Sequence, residues 1–219
     1  MVLTNYNIQT IKNRFFNSNT YLIKENTGNE GLIIDPGLDT EAIETAIISA
    51  KVKPMAILAT HGHFDHIGSA KYFQTKYRIP YYLHEKDYKL AKSANFYLKL
   101  AKVDKKIEIA IPDFLFKNEI EKIKIESFSF NVFNYPGHSD GSCIFDFEND
   151  IFSGDIVYKK GLGFNNFPGE SKEKLSLSIK NIFETFNDNS TFYPGHGDQV
   201  LLSEIKTKNL DLLNFLSNK

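Results

Sequence analysis

The sequence predicts one layered α/β domain over residues 1–219, and three observations carry that expectation. Short apolar, β-branched runs alternate with segments of helical period in both halves of the chain. No Pro- or Gly-rich linker parts the halves, so a second domain is not expected. Metal-ligating residue types recur just beyond strand-like runs, with glycine close by, which gathers them at one end of a sheet.

Taken in order, residues 20–24 and 32–34 read as strands flanking the turn-rich stretch 26–31, a hairpin. Asp35-Pro36-Gly37 stops the second strand. Apolar residues at 42, 43, 46, 47 and 50 predict a helix over 40–51, and 55–59 is a short strand running into Thr60-His61. A helix over 67–77 and a strand over 80–83 follow. The lysine-rich segment 85–106 places Leu90, Ala94, Tyr97, Leu98 and Ala101 on one side, an amphipathic helix with a solvated lysine face. Strands are expected at 123–126, 128–134, 142–147 and 150–153. A helix at 172–186, a strand at 191–193 and a last helix at 203–216 complete the reading.

Composition narrows the function. A formal net charge of −1 offers no positive field for nucleic acid or anionic lipid. No basic stripe with interleaved aromatics marks a nucleic-acid surface, and no apolar run approaches the ~20 residues that cross a bilayer. Arg14 and Arg78 are the only arginines, so bidentate recognition of phosphate or carboxylate is scarce. Cys143 is the single cysteine, which excludes an intrachain disulfide and a Cys-rich zinc site. The first residues lack the basic and apolar segments of a signal peptide, and a cytoplasmic protein is the expectation.

Chemistry concentrates in His61-Gly62-His63-Phe64-Asp65-His66. In extended chain, side chains two apart share a side, so His61 and His63 can face one metal. Asp65 and His66 follow where the chain turns into a helix and can reach a second centre. Pro136-Gly137-His138, Ser153-Gly154-Asp155 and Pro194-Gly195-His196-Gly197 each set one more ligand type beyond a strand. Five of the six histidines occupy such positions, too many for chance placement. His84 has no such context and reads as packed or as support for a ligand. Asp35 reads equally as a turn former and as the acceptor that orients a ligand imidazole. Cys143 reads as a small buried apolar residue.

These residues resemble the five sequence motifs of the metallo-β-lactamase superfamily. Asp35 matches the first motif, 61–66 the second, His138 the third, Asp155 the fourth and His196 the fifth. The resemblance implies a four-layered αββα sandwich and two divalent metal ions, zinc foremost, with iron or manganese as substitutes. It also implies His61, His63 and His138 on one metal, Asp65, His66 and His196 on the other, and Asp155 bridging. Within the superfamily the chain is most similar to the glyoxalase II group. That likeness implies a small-molecule acyl substrate, a thioester foremost, cleaved by a metal-bridging hydroxide with Asp65 as its hydrogen-bond acceptor.

Two departures bear on the substrate. Relatives of that group carry Gly-Arg-Thr-Asp where this chain has residues 163–166, so Phe164 stands at the arginine position and Lys159 and Lys160 are the nearest cations in sequence. The stretch after His196 is short for the helical glutathione-binding domain of longer members, and loose recognition of glutathione is expected. Two further activities fit the same residues: a sulfur dioxygenase with one iron on His61, His138 and Asp155, and a lactonase.

Overall fold

A computed structural model describes residues 6–165 and 169–217. The chain forms two compact units, one of residues up to Leu83 with Tyr88–Leu115, the other of His84–Asp87 with the residues from Phe116 onward.

The first unit is built on a six-stranded sheet in which strand order follows chain order. Strands β1 (Tyr6–Lys12), β2 (Asn19–Glu25) and β3 (Glu30–Ile34) form an antiparallel meander. Helix α1 (Thr40–Ser49) carries the chain to β4 (Lys53–Leu58), parallel to β3. The short α2 (Phe64–Ile67) and α3 (Ala70–Tyr77) lead to β5 (Tyr81–His84), parallel to β4. Helices α4 (Tyr88–Lys92) and α5 (Ala94–Leu100) precede the edge strand β6 (Phe114–Phe116). Leu32, Ile33, Ile34, Ala56, Ile57 and Leu58 are all fully buried, as parallel strands covered on both faces must be. Ile33 and Ile57 pack with Ile43 and Ile47 of α1 and Phe73 of α3. Each such side chain contributes about 1.5–3 kcal/mol of burial, and together they hold the strand ends rigidly.

The second unit has its own six-stranded sheet, ordered β12-β11-β10-β9-β8-β7. Strands β7 (Ile120–Ile125), β8 (Phe128–Asn134), β9 (Cys143–Phe147) and β10 (Asp150–Gly154) form an antiparallel meander. Helix α6 (Lys172–Thr185) then crosses to β11 (Thr191–Pro194), which pairs parallel with β10. The short β12 (Val200–Leu201) and helices α7 (Leu202–Lys208) and α8 (Leu210–Ser217) follow. Leu175, Ile179 and Ile182 of α6 pack with Ile144, Ile151 and Phe192 of the sheet. Among the described residues no helix is long and apolar enough to cross a membrane.

Most elements fall where the sequence places them, and the differences concern helix ends and edge strands. The segment 85–106 is a 3₁₀ turn and two short helices, not one helix, and Ala101 is exposed. Lys102 closes α5 in the left-handed conformation, with Val103 donating back to the Leu98 carbonyl. Lys51 and Arg78 close α1 and α3 with the same left-handed backbone. Glycine is the usual signal for that turn, and none of these three positions carries it. Strands β1, β6 and β12 lie beyond the runs expected from sequence, at or beside the sheet edges, where side chains are largely exposed.

The helix expected over 203–216 breaks at Asn209, for a reason that bears on the site. Asn209 is buried, and its amide donates to the carbonyls of Tyr158 (2.9 Å) and Gly161 (2.8 Å). Its oxygen accepts from the amides of Gly161 and Leu212, both at 3.1 Å. One side chain thus starts α8 and fastens the loop that follows Asp155. Replacing Asn209 by Ala leaves part-buried backbone groups of the loop unpaired, and urea unfolding is expected to show a loss of about 1–3 kcal/mol. A loss below about 0.5 kcal/mol, the range of an ordinary surface change, would contradict this role.

Candidate metal centre

In the first unit the parallel pairing of β3 and β4 sets Ile34 beside Leu58, so the two chain ends leave the sheet side by side. Asp35 sits immediately beyond β3 with a left-handed backbone (φ 51°) and donates its amide to the Leu58 carbonyl. Its carbonyl accepts from the Thr20 hydroxyl at 2.6 Å, which holds the turn. The buried carboxylate accepts from the Thr60 amide and the Thr60 hydroxyl, each at 2.7 Å, and lies 3.0 Å from Nδ1 of His66. Both sequence readings of Asp35 therefore hold: it turns the chain and it orients an imidazole.

This network decides where the ring protons sit. The Asp35 carboxylate is the acceptor for both Thr60 groups, so His66 Nδ1 donates to it and His66 Nε2 carries the lone pair. The Thr60 hydroxyl has spent its proton on Asp35, so it accepts from Nδ1 of His61 at 3.0 Å. His61 Nε2 is then a lone pair as well. The His61 ring lies 4.3 Å from that of His66 and 4.8 Å from that of His63, centroid to centroid. Asp65 enters α2 with its Oδ2 3.6 Å from His66 Nε2, and the Ser18 hydroxyl holds its carbonyl at 2.8 Å. Imidazoles tied at Nδ1 and offered at Nε2, beside a carboxylate, are a donor set that could hold a metal ion, a candidate half-site.

The second unit builds a matching cluster from three strand ends. The β10–β11 register sets Gly154 beside Pro194, and the Gly195 amide donates to the Gly154 carbonyl at 2.8 Å. Asp155 and His196 thereby emerge together, with His196 Nε2 3.3 Å from Asp155 Oδ2. His138 Nε2 lies 3.7 Å from the same oxygen. Gly137 has φ 143°, and a Cβ there would lie 2.3 Å from the Leu175 amide nitrogen, so the loop can approach α6 only as glycine. Asp87 pins the far side of this loop, accepting from the Ser139 hydroxyl and the Gly141 amide at 2.7 Å each.

His138 Nδ1 donates to the Gly163 carbonyl at 2.9 Å, and Glu170 Oε1 lies 3.5 Å from the same nitrogen. Burial of the ring opposes a positive charge, yet Glu170, Asp155 and the Gly163 carbonyl outweigh it and raise the pKa of His138. Oxygens that favour an imidazolium also favour a divalent cation at its edge. The imidazole and carboxylate donors of both units fit a borderline ion such as zinc or ferrous iron.

Comparison with known proteins agrees with this chemistry. The metallo-beta-lactamase superfamily model matches residues 13–218. The chain belongs to the metallo-beta-lactamase superfamily. Hydroxyacylglutathione hydrolase GloC of Haemophilus influenzae is 30% identical over 93% of this chain and 96% of its own length. Among solved structures, the B3 metallo-beta-lactamase BLEG-1 is 31% identical, with a TM-score of 0.85 over 94% of this chain and 99% of that one. TTHA1623, solved in a di-iron-bound form, is 28% identical, with a TM-score of 0.81 over 92% of this chain and 98% of that one. The fold is thus the αββα sandwich of this superfamily, as the sequence motifs imply, and members of the superfamily are generally hydrolytic metalloenzymes.

The remaining expectations can be placed. His84 is buried, its Nδ1 accepts from the Lys86 amide at 3.2 Å, and burial lowers its pKa, as suits a packed neutral ring. Cys143 is fully buried in β9 and donates to the Gly141 carbonyl. Phe164 is half-buried against Phe215, ring centroids 5.4 Å apart, so the position of the expected arginine serves packing. Asn166, the last residue of that run, lies outside the described residues. Asp87 and Glu170, which brace the His138 loop and ring, carried no sequence signal, because an acid far along the chain is indistinguishable from a solvated one.

Gly163 is the tightest point of the second cluster. A Cβ there would lie 1.8 Å from the Asp155 carbonyl oxygen and 2.9 Å from His138 Nδ1. Gly163→Ala is expected to displace the Asp155 backbone and the His138 ring while leaving secondary structure intact. Competition with a chelator should then show zinc affinity reduced at least about tenfold. Unchanged affinity would show that the contact does not set the ligand geometry.

Proposed function

We propose that the protein is a dinuclear metal-dependent thioester hydrolase. The observation that carries this reading is the 30% identity to a hydroxyacylglutathione hydrolase over nearly the whole of both chains. Support comes from the ordered Nε2 lone pairs of His61 and His66 and from the shared orientation of His138 and His196 towards Asp155. In this reading His61, His63 and His138 would hold one ion and Asp65, His66 and His196 the other, with Asp155 as a ligand that both would share. Zinc is the proposed metal, with iron as the substitute that the di-iron relative suggests.

When bound, two such ions lower the pKa of a shared water and polarise the acyl oxygen. The chain's own residues do the rest. Asp65, held by Ser18 through its carbonyl and nearly buried, accepts a hydrogen bond from the attacking water and aims it at the acyl carbon. The new C–O bond forms first; the C–S bond then breaks as the carbonyl re-forms, giving a carboxylate and a thiolate, and the two protons of the water pass to solvent. The thiolate leaves without needing a proton, since its pKa lies near about 8.5. Asp35 and Thr60 keep His61 and His66 in the Nδ1–H form throughout. With Phe164 packed away, S-lactoylglutathione is expected to saturate weakly relative to small thioesters.

A second reading, hydrolysis of a β-lactam amide, is favoured by the 31% identity to BLEG-1. Elemental analysis and a panel of thioesters, lactones, a β-lactam and a persulfide discriminate these readings. We expect about two metal ions per chain, thioesters preferred, no oxygen uptake with the persulfide, and a fall in kcat/KM of about 10²–10⁴ in Asp65→Ala. One ion in a fully active preparation would contradict the dinuclear assignment. Preference for the β-lactam would contradict the thioester.

A further inference from the structure

We propose that Lys99, Lys102, Lys105 and Lys106 form an anion site for the phosphates of the thiol carrier, so that the favoured substrates are thioesters of a phosphorylated carrier. This rests on the thioester reading above and names the carrier half of the substrate.

The site is made where the lysine-rich segment stops being helical. Lys102 closes α5 in the left-handed conformation, and the Val103 amide donates back to the Leu98 carbonyl at 3.0 Å. Asn95 shares one flank of α5 with Lys99 and Lys102 and clamps the returning chain. Its amide donates to the Ile107 carbonyl at 3.0 Å, and its oxygen accepts from the Ile107 amide at 2.9 Å. The loop between is thereby held in one shape and walls a concavity of about 500 Å³. Lys99, Lys102, Lys105 and Lys106 line it, with Asp104 as the one acid among the lining residues.

Like charges gathered round one hollow raise the local potential, and a paired carboxylate would lower it. Elsewhere Lys53, Lys76, Lys174, Lys206 and Lys208 each pair with an acid. Among the described residues no carboxylate pairs with any of these four. The whole chain carries −1, so the segregation is local and vanishes in the sum.

The charge count selects the ligand. Four lysines against one aspartate leave a surplus of three positive charges. A carrier with a phosphate monoester and a diphosphate brings about −3 to −4. Glutathione, with two carboxylates and an ammonium group, brings only about −1. Ammonium groups bind phosphate as point charges and need no planar fork, which suits a chain poor in arginine.

The site also lies at a usable distance. Lys105 donates to the Leu38 carbonyl and sits 5.2 Å from the Phe15 ring centroid, on the loop after β1. Tyr97, on the other flank of α5, has its ring 6.5 Å from that of His63. A thioester at His63 and phosphates at the lysines are thus parted by the width of one helix, about 10–12 Å. A long uncharged arm between sulfur and phosphates spans that gap.

The test compares acetyl-coenzyme A with S-acetyl-N-acetylcysteamine on the metal-loaded protein, since the two share the acyl group and the atoms around sulfur. The wild type should prefer the coenzyme A thioester in kcat/KM by at least about tenfold, less so at high salt. The double variant Lys99→Glu with Lys106→Glu should cut that preference at least about tenfold, and the corresponding double Arg variant should keep most of it. Both side chains are exposed, and melting temperature and metal content establish that each variant is folded and loaded. A preference absent in the wild type, or unchanged within about twofold in the Glu variant, would overturn the site. Equal preference for S-acetylglutathione would overturn the assignment to phosphate. If no thioester is cleaved, the hydrolase reading fails by itself, and calorimetry with inorganic pyrophosphate decides the anion site. Binding weakened at least about tenfold in the Glu variant supports it; no binding to the wild type, or equal binding to both, overturns it.

Discussion

The buried carboxylate of Asp35 is the contact on which the first half-site depends. Burying an ionised carboxylate is costly unless its oxygens are satisfied, and here the Thr60 amide, the Thr60 hydroxyl and His66 Nδ1 satisfy them. The same three bonds do functional service. They hold the chain beyond β4 against the chain beyond β3, and they fix the protons of two imidazoles. The left-handed turn at Asp35 is in turn held by Thr20, whose hydroxyl also accepts from Asn13. One connected set of hydrogen bonds therefore runs from the loop after β1 to His61 and His66. Disturbing it anywhere should be felt at the ring nitrogens.

The second unit reaches an equivalent result with different means. Its rings are placed by close backbone approach rather than by a buried acid at the centre. The β10–β11 register brings Asp155 to His196, and Gly137 and Gly163 let two loops lie where any side chain would collide. Asp87, Glu170 and Asn209 then brace these loops from behind. Such arrangements tolerate little change, because the tightest contact of each glycine is with backbone, which cannot swing aside as a flexible side chain would.

Much of this was legible before any coordinates. The spacing of residues 61–66 and the glycine-flanked His138, Asp155 and His196 announce strand-end ligands, since these residue types rarely meet in such contexts without a metal. Asp35 was ambiguous because a turn-forming aspartate and an orienting aspartate share one sequence context, and here the residue does both. The braces were not legible. Asp87, Glu170 and Asn209 act through contacts made by folding, and their local sequence is that of ordinary polar surface. Helices ending in left-handed lysine or arginine, at Lys51, Arg78 and Lys102, similarly gave no warning, because tertiary packing there overrides the preference for glycine. Phe164 shows the converse: its departure from the family pattern was visible at once, but its packing on Phe215 became clear only in three dimensions.

Through Thr60 and its own carboxylate, Asp35 sets His61 and His66 as Nδ1–H tautomers with Nε2 turned to the proposed metal. Nitrogen NMR of the zinc-loaded protein, labelled at histidine, reads this directly. Both rings are expected to carry their proton on Nδ1 and to coordinate through Nε2, and Asp35→Asn is expected to shift the Nδ1 signals of both. Protonation of either ring at Nε2, or signals indifferent to Asp35→Asn, would contradict it.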